Sequence, residues 1–350
     1  MRRIDEHLKE ANLDGLIVSS PANIHYLTDY PGRDAYLLVS RKECIYFTDC
    51  RYIEEAKLKL KDKAKVEKIN GLFYKVIAEG IRNLGLKRVG FEARHLSFAE
   101  YKKIRQALLA KSVKLIPTQS LIEQLRQIKT KEEIDKIKKA TDIALKALEF
   151  VRDFITPGRK ELEIAAELER FIRYQGARSS AFEIIVASGP NSCFPHYLTG
   201  KRKIQKNEPL LIDLGVDYQG YKSDLTRVFF FGKINSLFAR IYDIVSQAQI
   251  QAIRIIKPNI EIKKIDTASR QYITKKGFGK EFLHNLGHGI GLEVHELPVI
   301  SPKTEGILKP GMVFTLEPAI YLKGKFGIRI EDMVLVTPEG CEVISGTLNK

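Results

Sequence analysis

The chain has 350 residues, of which 44% are hydrophobic and 29% are charged, and its formal net charge is +15. A chain of this length is too long for one typical hydrophobic core, so we expect two globular domains. No apolar run approaches the roughly 18 residues that span a bilayer, and Asp5 and Glu6 stand where a signal peptide has an apolar stretch. The sequence therefore predicts a cytoplasmic protein without a membrane partner.

Neither the basic residues nor the cysteines form a recognisable binding motif. The densest basic run, residues 57–68, alternates lysine with Leu, Ala and Val, which indicates the solvated face of a helix or strand. No zinc-finger spacing, RNA-binding aromatic motif or glycine-rich phosphate loop accompanies it, so we expect no nucleic-acid partner. Absence of CxxC spacing predicts free thiols in a reducing compartment for the four cysteines, at positions 44, 50, 193 and 341.

The first part of the chain alternates strand-like and helix-like stretches. Short apolar runs predict strands at residues 16–19, 36–39, 45–48 and 87–91. Residues 21–23 are predicted to form a turn. This alternation is typical of an α/β domain with a largely buried sheet. A boundary near residues 118–130 gives two domains, 1–122 and 123–350.

The second domain is predicted to begin with a capped helix, because Thr130 and Glu133 have the spacing of a capping box. Further helices are expected at about residues 161–175 and 238–256, with a strand at 183–188. The remainder is rich in strand patterns and glycine. These features predict an α+β domain.

A first pair of carboxylates lies in an apolar segment, residues 210–227, whose pattern predicts a hairpin. With the turn centred between Tyr218 and Gln219, Asp213 would lie opposite Asp224. Directly opposed Cβ atoms are only about 5 Å apart. Burying two like charges is costly unless a cation or a shared proton compensates them.

A second pair repeats this arrangement in two later apolar strands. A chain reversal centred on Gly324 would place Glu317 opposite Glu331. One acid in a strand is usually exposed, whereas two facing pairs indicate a site. Glycines flank His288, which we expect to permit backbone with φ > 0. Four histidines are interleaved with the acids: His196, His284, His288 and His295.

Four carboxylates and one imidazole form an oxygen-rich ligand set. It suits Mn²⁺, Co²⁺, Fe²⁺ or Zn²⁺ better than Ca²⁺, and it lacks the thiolates of a structural zinc site. Bridging carboxylates can hold two ions about 3.5 Å apart, and such a pair lowers the pKa of a shared water. The sequence therefore predicts a two-metal hydrolytic site.

The motifs around these residues resemble the metal-ligand signature of the pita-bread metallopeptidases, which include methionine aminopeptidase, aminopeptidase P and prolidase. They are IDLG at Asp213, SDLTR at Asp224, GHGIGLEVHE at His288 and His295, FTLEPAIY at Glu317 and GIRIED at Glu331. SGPNSCFPH, ending at His196, and TDCRYIEEA, residues 48–56, resemble segments of the Xaa-Pro branch, aminopeptidase P and prolidase.

This resemblance implies an α+β pita-bread (creatinase/aminopeptidase) C-terminal domain preceded by an α/β creatinase-like N-terminal domain. It implies an aminopeptidase P type enzyme, which releases the first residue from peptides with proline in second position by means of a hydroxide held by two metal ions. A prolidase restricted to Xaa-Pro dipeptides is the alternative. Two divalent ions, Mn²⁺ or Co²⁺ before Zn²⁺ or Fe²⁺, and a homodimer are expected.

The resemblance also implies roles for the ligand residues. Asp224 and Glu331 would bridge both ions, Asp213 would complete one ion, and His288 with Glu317 would complete the other. Glu317 would in addition carry the proton, first as general base and then as general acid.

Five further residues complete the implied site. His295 and His196 would hydrogen-bond the substrate carbonyl and the developing oxyanion, and His284 would line the proline pocket. Arg329, on the same strand face as Glu331, and Tyr321 would support the ligands from behind.

Two positions depart from the family pattern. Ala319 replaces a usual glycine, and Val299 stands where prolidases of this size often carry an arginine that holds the free carboxylate of a dipeptide. Valine cannot bind that carboxylate, which favours longer peptides as substrates.

Three other interpretations remain open, and none is favoured. A non-catalytic pita-bread binding module or a metal-free creatinase would keep the buried acids at high cost without a metal. A phosphate-ester hydrolase lacks the support of clustered arginines.

Overall fold

A computed structural model of the chain describes residues 4–108 and 112–346. The chain divides into two compact units, Met1–Leu125 and Arg126–Lys350, and each has an apolar core. In the part of the chain that is described, no helix combines the length and the apolar character needed to cross a membrane.

The first unit is built on one six-stranded sheet. Its strands are β1 Gly15–Val18, β2 Ala35–Ser40, β3 Cys44–Thr48, β4 Lys65–Lys68, β5 Arg88–Glu92 and β6 Lys114–Thr118. They lie in the order β4-β3-β2-β1-β5-β6, with antiparallel pairing of β2 to β1 and β3 and parallel pairing elsewhere. Every residue of β1 and β3 is buried. The predicted α/β architecture with a buried sheet is confirmed.

The helices of this unit are α1 Asp5–Glu10, α2 Pro21–Thr28, α3 Ile53–Lys59, α4 Phe73–Asn83, α5 Phe98–Leu108 and α6 Leu121–Arg126. The prediction of a turn at residues 21–23 was wrong, because these residues begin α2. Ser20 is the N-cap, its side chain accepts from the Asn23 amide at 3.4 Å, and Pro21 opens the helix. A serine cap followed by proline at the first helical position favours helix initiation.

The lysine-rich run at residues 57–68 ends α3 and continues into the edge strand β4. Lys65 and Lys68 are exposed, whereas Leu60 is fully buried. The predicted solvated face is therefore confirmed for the lysines. Lysines on an edge strand also discourage pairing with strands of other molecules.

The helices of the second unit are α7 Lys131–Phe154, α8 Glu161–Tyr174, α9 Ser236–Arg254 and α10 Ile262–Lys275. The capping box that begins α7 is confirmed: Thr130 Oγ1 accepts from the Glu133 amide at 3.4 Å, and the Glu133 carboxylate accepts from the Thr130 amide at 2.9 Å. Helix α10 was not predicted. Its N-cap Glu261 makes no capping hydrogen bond, so the start lacks the usual sequence signal.

The strands of the second unit are short. They are β7 Ser179–Ser180, β8 Ile185–Ser188, β9 Pro209–Leu214, β10 Val216–Tyr218, β11 Tyr221–Lys222, β12 Leu225–Phe230, β13 Gly287–Gly289, β14 Glu296–Ile300, β15 Val313–Leu316, β16 Ala319–Leu322, β17 Phe326–Arg329, β18 Asp332–Val336 and β19 Cys341–Val343. They form a five-stranded sheet, β14-β13-β15-β18-β19, two three-stranded sheets, β12-β9-β8 and β11-β10-β7, and the β16–β17 ribbon. Apolar residues of α9 and α10 share one core with β15, β17 and β18. This confirms the α+β prediction.

The first predicted strand register was wrong. Asp213 pairs with Thr226 and not with Asp224, which lies just before β12. The turn is centred between Gln219 and Gly220, whose φ values of 52° and 90° are those of a tight primed hairpin turn. Moving the centre by one residue shifts the pairing by two positions. Asp224 therefore comes two positions before the partner of Asp213, diagonal to it.

The second predicted register is confirmed. Ala319 pairs with Arg329 in the β16–β17 ribbon, and Leu316 pairs with Asp332 in the β15–β18 ladder. Both pairings belong to one reversal centred on Gly324, which has φ 72°. Glu317 and Glu331 lie at matching positions between the two ladders, where the chain passes from one sheet to the other.

Candidate metal centre

The five predicted ligands come from strands or strand ends of the second unit. Asp213 lies in β9, Asp224 before β12, His288 in β13, Glu317 after β15 and Glu331 before β18. Ligand atoms of Asp224, His288 and Glu331 all lie within 4.8 Å of one another. The His288 Nε2 atom is 3.7 Å from Asp224 Oδ2 and 3.5 Å from Glu317 Oε1. The structure thus brings distant parts of the sequence into one polar cluster.

The glycines beside His288 have a different purpose from the predicted one. Neither Gly287 nor Gly289 has a positive φ. A Cβ atom at Gly287 would lie 1.9 Å from the Thr315 carbonyl oxygen, and one at Gly289 would lie 2.2 Å from the Leu297 carbonyl oxygen. Close backbone packing on both sides of β13 requires glycine at both positions.

Asp213, Asp224, Glu317 and Glu331, hereafter the carboxylate cluster, repel one another. Burial, reinforced by the neighbouring carboxylates, raises the pKa of Asp224 and of Glu317 well above the usual range. Burial and Asp213 raise the pKa of Glu331 to about 8. Burial, together with His295, lowers the pKa of His288 to about 4. A neutral imidazole beside crowded carboxylates is the form that binds a metal.

Two buried carboxylate oxygen atoms also indicate that this cluster binds a metal. Asp213 Oδ1 and Asp224 Oδ1 accept no hydrogen bond from any described residue. Buried polar atoms normally have a partner, and a missing one calls for an explanation such as an ion. Carboxylate oxygens with one imidazole are suitable ligands for divalent transition metals. The residues present therefore fit a divalent metal site.

Arg329 is a cation that contacts a carboxylate of this cluster directly. Its guanidinium pairs with Asp213, donates from Nε to Thr226 Oγ1 at 3.0 Å and donates from Nη1 to Tyr321 Oη at 2.8 Å. Thr226 Oγ1 in turn donates to Glu331 at 2.8 Å. Arg329 thus contacts the carboxylate cluster directly, and Tyr321 is joined to the cluster through Arg329.

The remaining histidines surround the cluster. His284 Nδ1 lies 3.8 Å from Glu317 Oε2, and its Nε2 lies 3.1 Å from Tyr321 Oη. The His288 and His295 ring centroids are 4.2 Å apart. Burial lowers the pKa of both His284 and His295, and His196 adds to this effect. His196 and His295 are exposed, whereas His284 is partly buried.

Sequence reasoning missed several residues that hold the ligands in place. Gln249 of α9 is fully buried and donates to the carbonyl oxygens of Leu316 and Ile330 at 3.0 and 3.2 Å. These carbonyls directly precede Glu317 and Glu331. Thr226 lies in the SDLTR motif, and its position two residues after Asp224 could have indicated a shared strand face.

A second polar group holds the loop that carries His295. It comprises Arg126, Lys129, Glu293 and Glu296, hereafter the ionic cluster. Arg126 pairs with Glu296 and lies 2.8 Å from Glu293, and Lys129 Nζ lies 2.8 Å from Glu296. The side chains of Arg126, Lys129 and Glu296 are at most 2% exposed. Sequence patterns gave no indication of this cluster.

The chain matches two known domain families and several known proteins. Residues 135–338 match metallopeptidase family M24, and residues 1–128 match the creatinase/prolidase N-terminal domain. The chain is 35% identical over 349 residues to an Xaa-Pro dipeptidase of Pyrococcus furiosus, covering 99% of this chain and 97% of that protein.

Solved structures agree with this. An Xaa-Pro dipeptidase from Bacillus anthracis superposes with a TM-score of 0.94 at 38% identity, covering 99% of this chain and 96% of that one. An X-Pro aminopeptidase from Thermotoga maritima superposes with a TM-score of 0.90 at 34% identity, covering 99% of both chains. The fold is therefore shared with known Xaa-Pro peptidases.

Proposed function

The chain belongs to metallopeptidase family M24 and is a metalloexopeptidase, and on that premise we propose that it cleaves Xaa-Pro dipeptides as a prolidase. It combines a creatinase-type N-terminal domain with a pita-bread catalytic domain. The sequence favoured an aminopeptidase P type activity. The comparisons support the prolidase alternative better, because the relatives from Bacillus anthracis and Pyrococcus furiosus are named Xaa-Pro dipeptidases.

The observation that carries this proposal is the carboxylate cluster beside His288. The two ions would be held by the carboxylates of Asp213, Asp224, Glu317 and Glu331 and by the imidazole of His288. Ligand atoms of Asp224, His288 and Glu331 already lie within 4.8 Å of one another. Carboxylate and imidazole ligands suit Mn²⁺ and Co²⁺, which we propose as the native ions, and are compatible with Zn²⁺ and Fe²⁺.

The metal ions, when bound, act as Lewis acids and lower the pKa of water. The other tasks belong to side chains. Glu317 accepts and then returns the proton of the reaction, and its side chain is 18% exposed to the site. Arg329 pairs with Asp213 and fixes the orientation of its carboxylate.

The three histidines around the cluster are proposed to contact the substrate. His295 and His196, both exposed, donate hydrogen bonds to the peptide carbonyl and to the oxyanion that develops from it. His284 borders the proline ring. Burial lowers the pKa of His284 to about 4, so its imidazole is neutral at pH 7 and presents an uncharged surface to that ring.

One observation favours cleavage of longer peptides as a second candidate. Val299 pairs with His288 in the β13–β14 ladder, so it lies beside the metal site. In a prolidase, this position would suit an arginine that binds the free carboxylate of a dipeptide. A valine leaves that carboxylate without a cation there, which supports aminopeptidase activity on substrates that continue beyond proline.

A homodimer in the cytoplasm completes the proposal. The dimer is implied by the family resemblance, and the four cysteines are unpaired, which suits a reducing compartment.

The test compares hydrolysis of Ala-Pro with hydrolysis of Ala-Pro-Ala by chelator-stripped protein, with and without added Mn²⁺ or Co²⁺. Metal-dependent cleavage of the dipeptide alone is the expected result for a prolidase. Release of alanine from the tripeptide would identify an aminopeptidase. Cleavage of neither peptide by protein with bound metal would contradict the proposal.

A further inference from the structure

The loop that carries His196, residues 188–200, is held by a buried carboxylate outside both clusters already described. This carboxylate belongs to Glu161, the first residue of α8, which is fully buried. It accepts hydrogen bonds from groups along the loop: Ser188 N and Oγ, both at 2.7 Å, Asn191 Nδ2 at 3.0 Å, Tyr197 Oη at 2.9 Å and Gly200 N at 3.4 Å. A buried carboxylate is stable only with such a full set of donors. Folding of this loop and burial of Glu161 therefore depend on each other.

The residues on both sides of His196 are anchored. Tyr197 is bound to Glu161 and also accepts from Asn191 Nδ2 at 2.7 Å. The carbonyl oxygen of Pro195 accepts from Arg329 Nη1 at 3.3 Å. Since Arg329 also pairs with Asp213, one anchor leads directly to the carboxylate cluster. The backbone of His196 is fixed from two directions while its imidazole stays exposed.

The start of the loop is also packed tightly against β17. Ser192 Oγ accepts from the Gly327 amide at 2.8 Å. A Cβ atom at Gly327 would lie 2.0 Å from the Ser192 carbonyl oxygen. Gly327 is two residues from Arg329 on the same strand. The loop therefore has a rigid support beneath it, and Glu161 with Tyr197 determines the path of its far end.

We propose that Glu161 is a positioning residue that acts through Tyr197 to hold the His196 imidazole at the substrate. The proposal rests on the proposed function, in which His196 binds the reacting carbonyl. Glu161 contacts neither metal ligands nor substrate in this scheme. Its effect on catalysis passes entirely through the conformation of residues 188–200.

The test is a double-mutant cycle between Tyr197→Phe and His196→Ala. Tyr197→Phe keeps the ring and removes only the hydroxyl donor to Glu161. We expect kcat on Ala-Pro to fall about 10-fold with little change in KM, less than the roughly 10²-fold that a 1 Å displacement causes. Metal content measured by mass spectrometry should be unchanged. In the His196→Ala background, Tyr197→Phe should change kcat by less than about 2-fold, because its target is gone.

Tyr36→Phe is the matched control, since Tyr36 also donates its hydroxyl to a glutamate, Glu100, but in the first unit. It should leave kcat unchanged. Equal losses of kcat from Tyr197→Phe in both backgrounds, or no loss in the wild-type background, would overturn the proposal. Wild-type protein that fails to cleave Xaa-Pro peptides would instead overturn the proposed function, before any variant is compared.

A second measurement tests the positioning role of Glu161 if turnover in the His196→Ala background is too slow to compare. Hydrogen–deuterium exchange across residues 188–200 should be faster in Tyr197→Phe and in Glu161→Gln than in wild type and Tyr36→Phe. Exchange unchanged by Tyr197→Phe would show that the loop does not need this anchor, and the proposal would fail. Tyr197→Phe alone suffices for this result if Glu161→Gln does not fold.

Discussion

The second unit buries carboxylates in the carboxylate cluster and in the ionic cluster, and the two places differ in what surrounds them. Burial raises the pKa of Glu317 and Asp224, and neighbouring carboxylates add to the effect. Burial also acts on Glu296, but Lys129 and Arg126 outweigh it, and the pKa of Glu296 is lowered. Burial alone therefore does not determine the charge of a carboxylate. The charge of a buried carboxylate also depends on which neighbouring charges surround it.

The two clusters also differ in access. The side chains of Lys129 and Glu296 are 1% and 2% exposed, so the centre of the ionic cluster is closed, and only Glu293 at its edge reaches solvent. Glu317 and His288 keep 18% and 12% exposure. The ionic cluster is neutralised by cations of the chain, whereas the carboxylate cluster is open enough to receive its cations from solution. One cluster is suited to holding a loop, and the other to binding a metal.

The largest effect is expected from Glu317→Gln, which removes the proposed proton carrier and keeps the shape of the side chain. Turnover of Ala-Pro in the presence of Mn²⁺ should fall by about 10²–10⁴-fold. The metal-free protein should remain as stable as wild type or become more stable, because one of the repelling carboxylates is gone.

Steady-state kinetics with urea unfolding of the metal-free protein measures both quantities. Glu342→Gln is the control, because Glu342 forms an exposed ion pair with Lys138. Full activity in Glu317→Gln would exclude the assigned role of this residue.

The next largest effect is expected from Glu296→Gln, which removes the charge that balances Arg126 and Lys129. Breaking a buried ion pair on one side costs about 3–5 kcal/mol, so urea unfolding of the metal-free protein should show a loss of that size. Glu342→Gln again serves as the control, since an exposed pair contributes only about 0–1 kcal/mol. Equal stability losses in the two variants would mean that the ionic cluster is not closed to water.

The same contrast explains what sequence reasoning could and could not find. The acids of the carboxylate cluster stand within apolar strands, where a lone charge is conspicuous, so all four could be selected from the sequence. Glu317 and Glu331 could even be paired, because Gly324 marks the centre of their reversal. Asp213 and Asp224 were paired incorrectly, because the turn conformation of Gln219 and Gly220 decides the register and is not visible as a pattern.

The supporting residues could not be found in this way. Arg126 and Glu296 are separated by 170 positions, and each looks like an ordinary charged residue of a loop or helix end. Gln249 belongs to a helix whose spacing identifies its apolar face but not the two carbonyl groups that it contacts. Such partners depend on how distant elements pack, and no local sequence pattern specifies that packing.

The smallest of these effects tests directly whether the carboxylate cluster takes its cation from solution. A ligand that binds only the folded state stabilises it by about 2.7 kcal/mol at 100 times its Kd, so Mn²⁺ at that concentration should raise the unfolding free energy of wild type by this amount. Asp224→Asn should lose most of the gain and bind less metal, because Asp224 would be one of the metal ligands. Glu296→Gln, although less stable at the outset, should keep the gain.

Urea unfolding with and without Mn²⁺, together with metal analysis, measures the difference. A gain that is lost in Glu296→Gln and kept in Asp224→Asn would reverse the assignment of the two clusters. Binding of Mn²⁺ would then depend on the residues that hold the His295 loop. The raised pKa values of the carboxylate cluster would need an explanation without a metal, such as a shared proton.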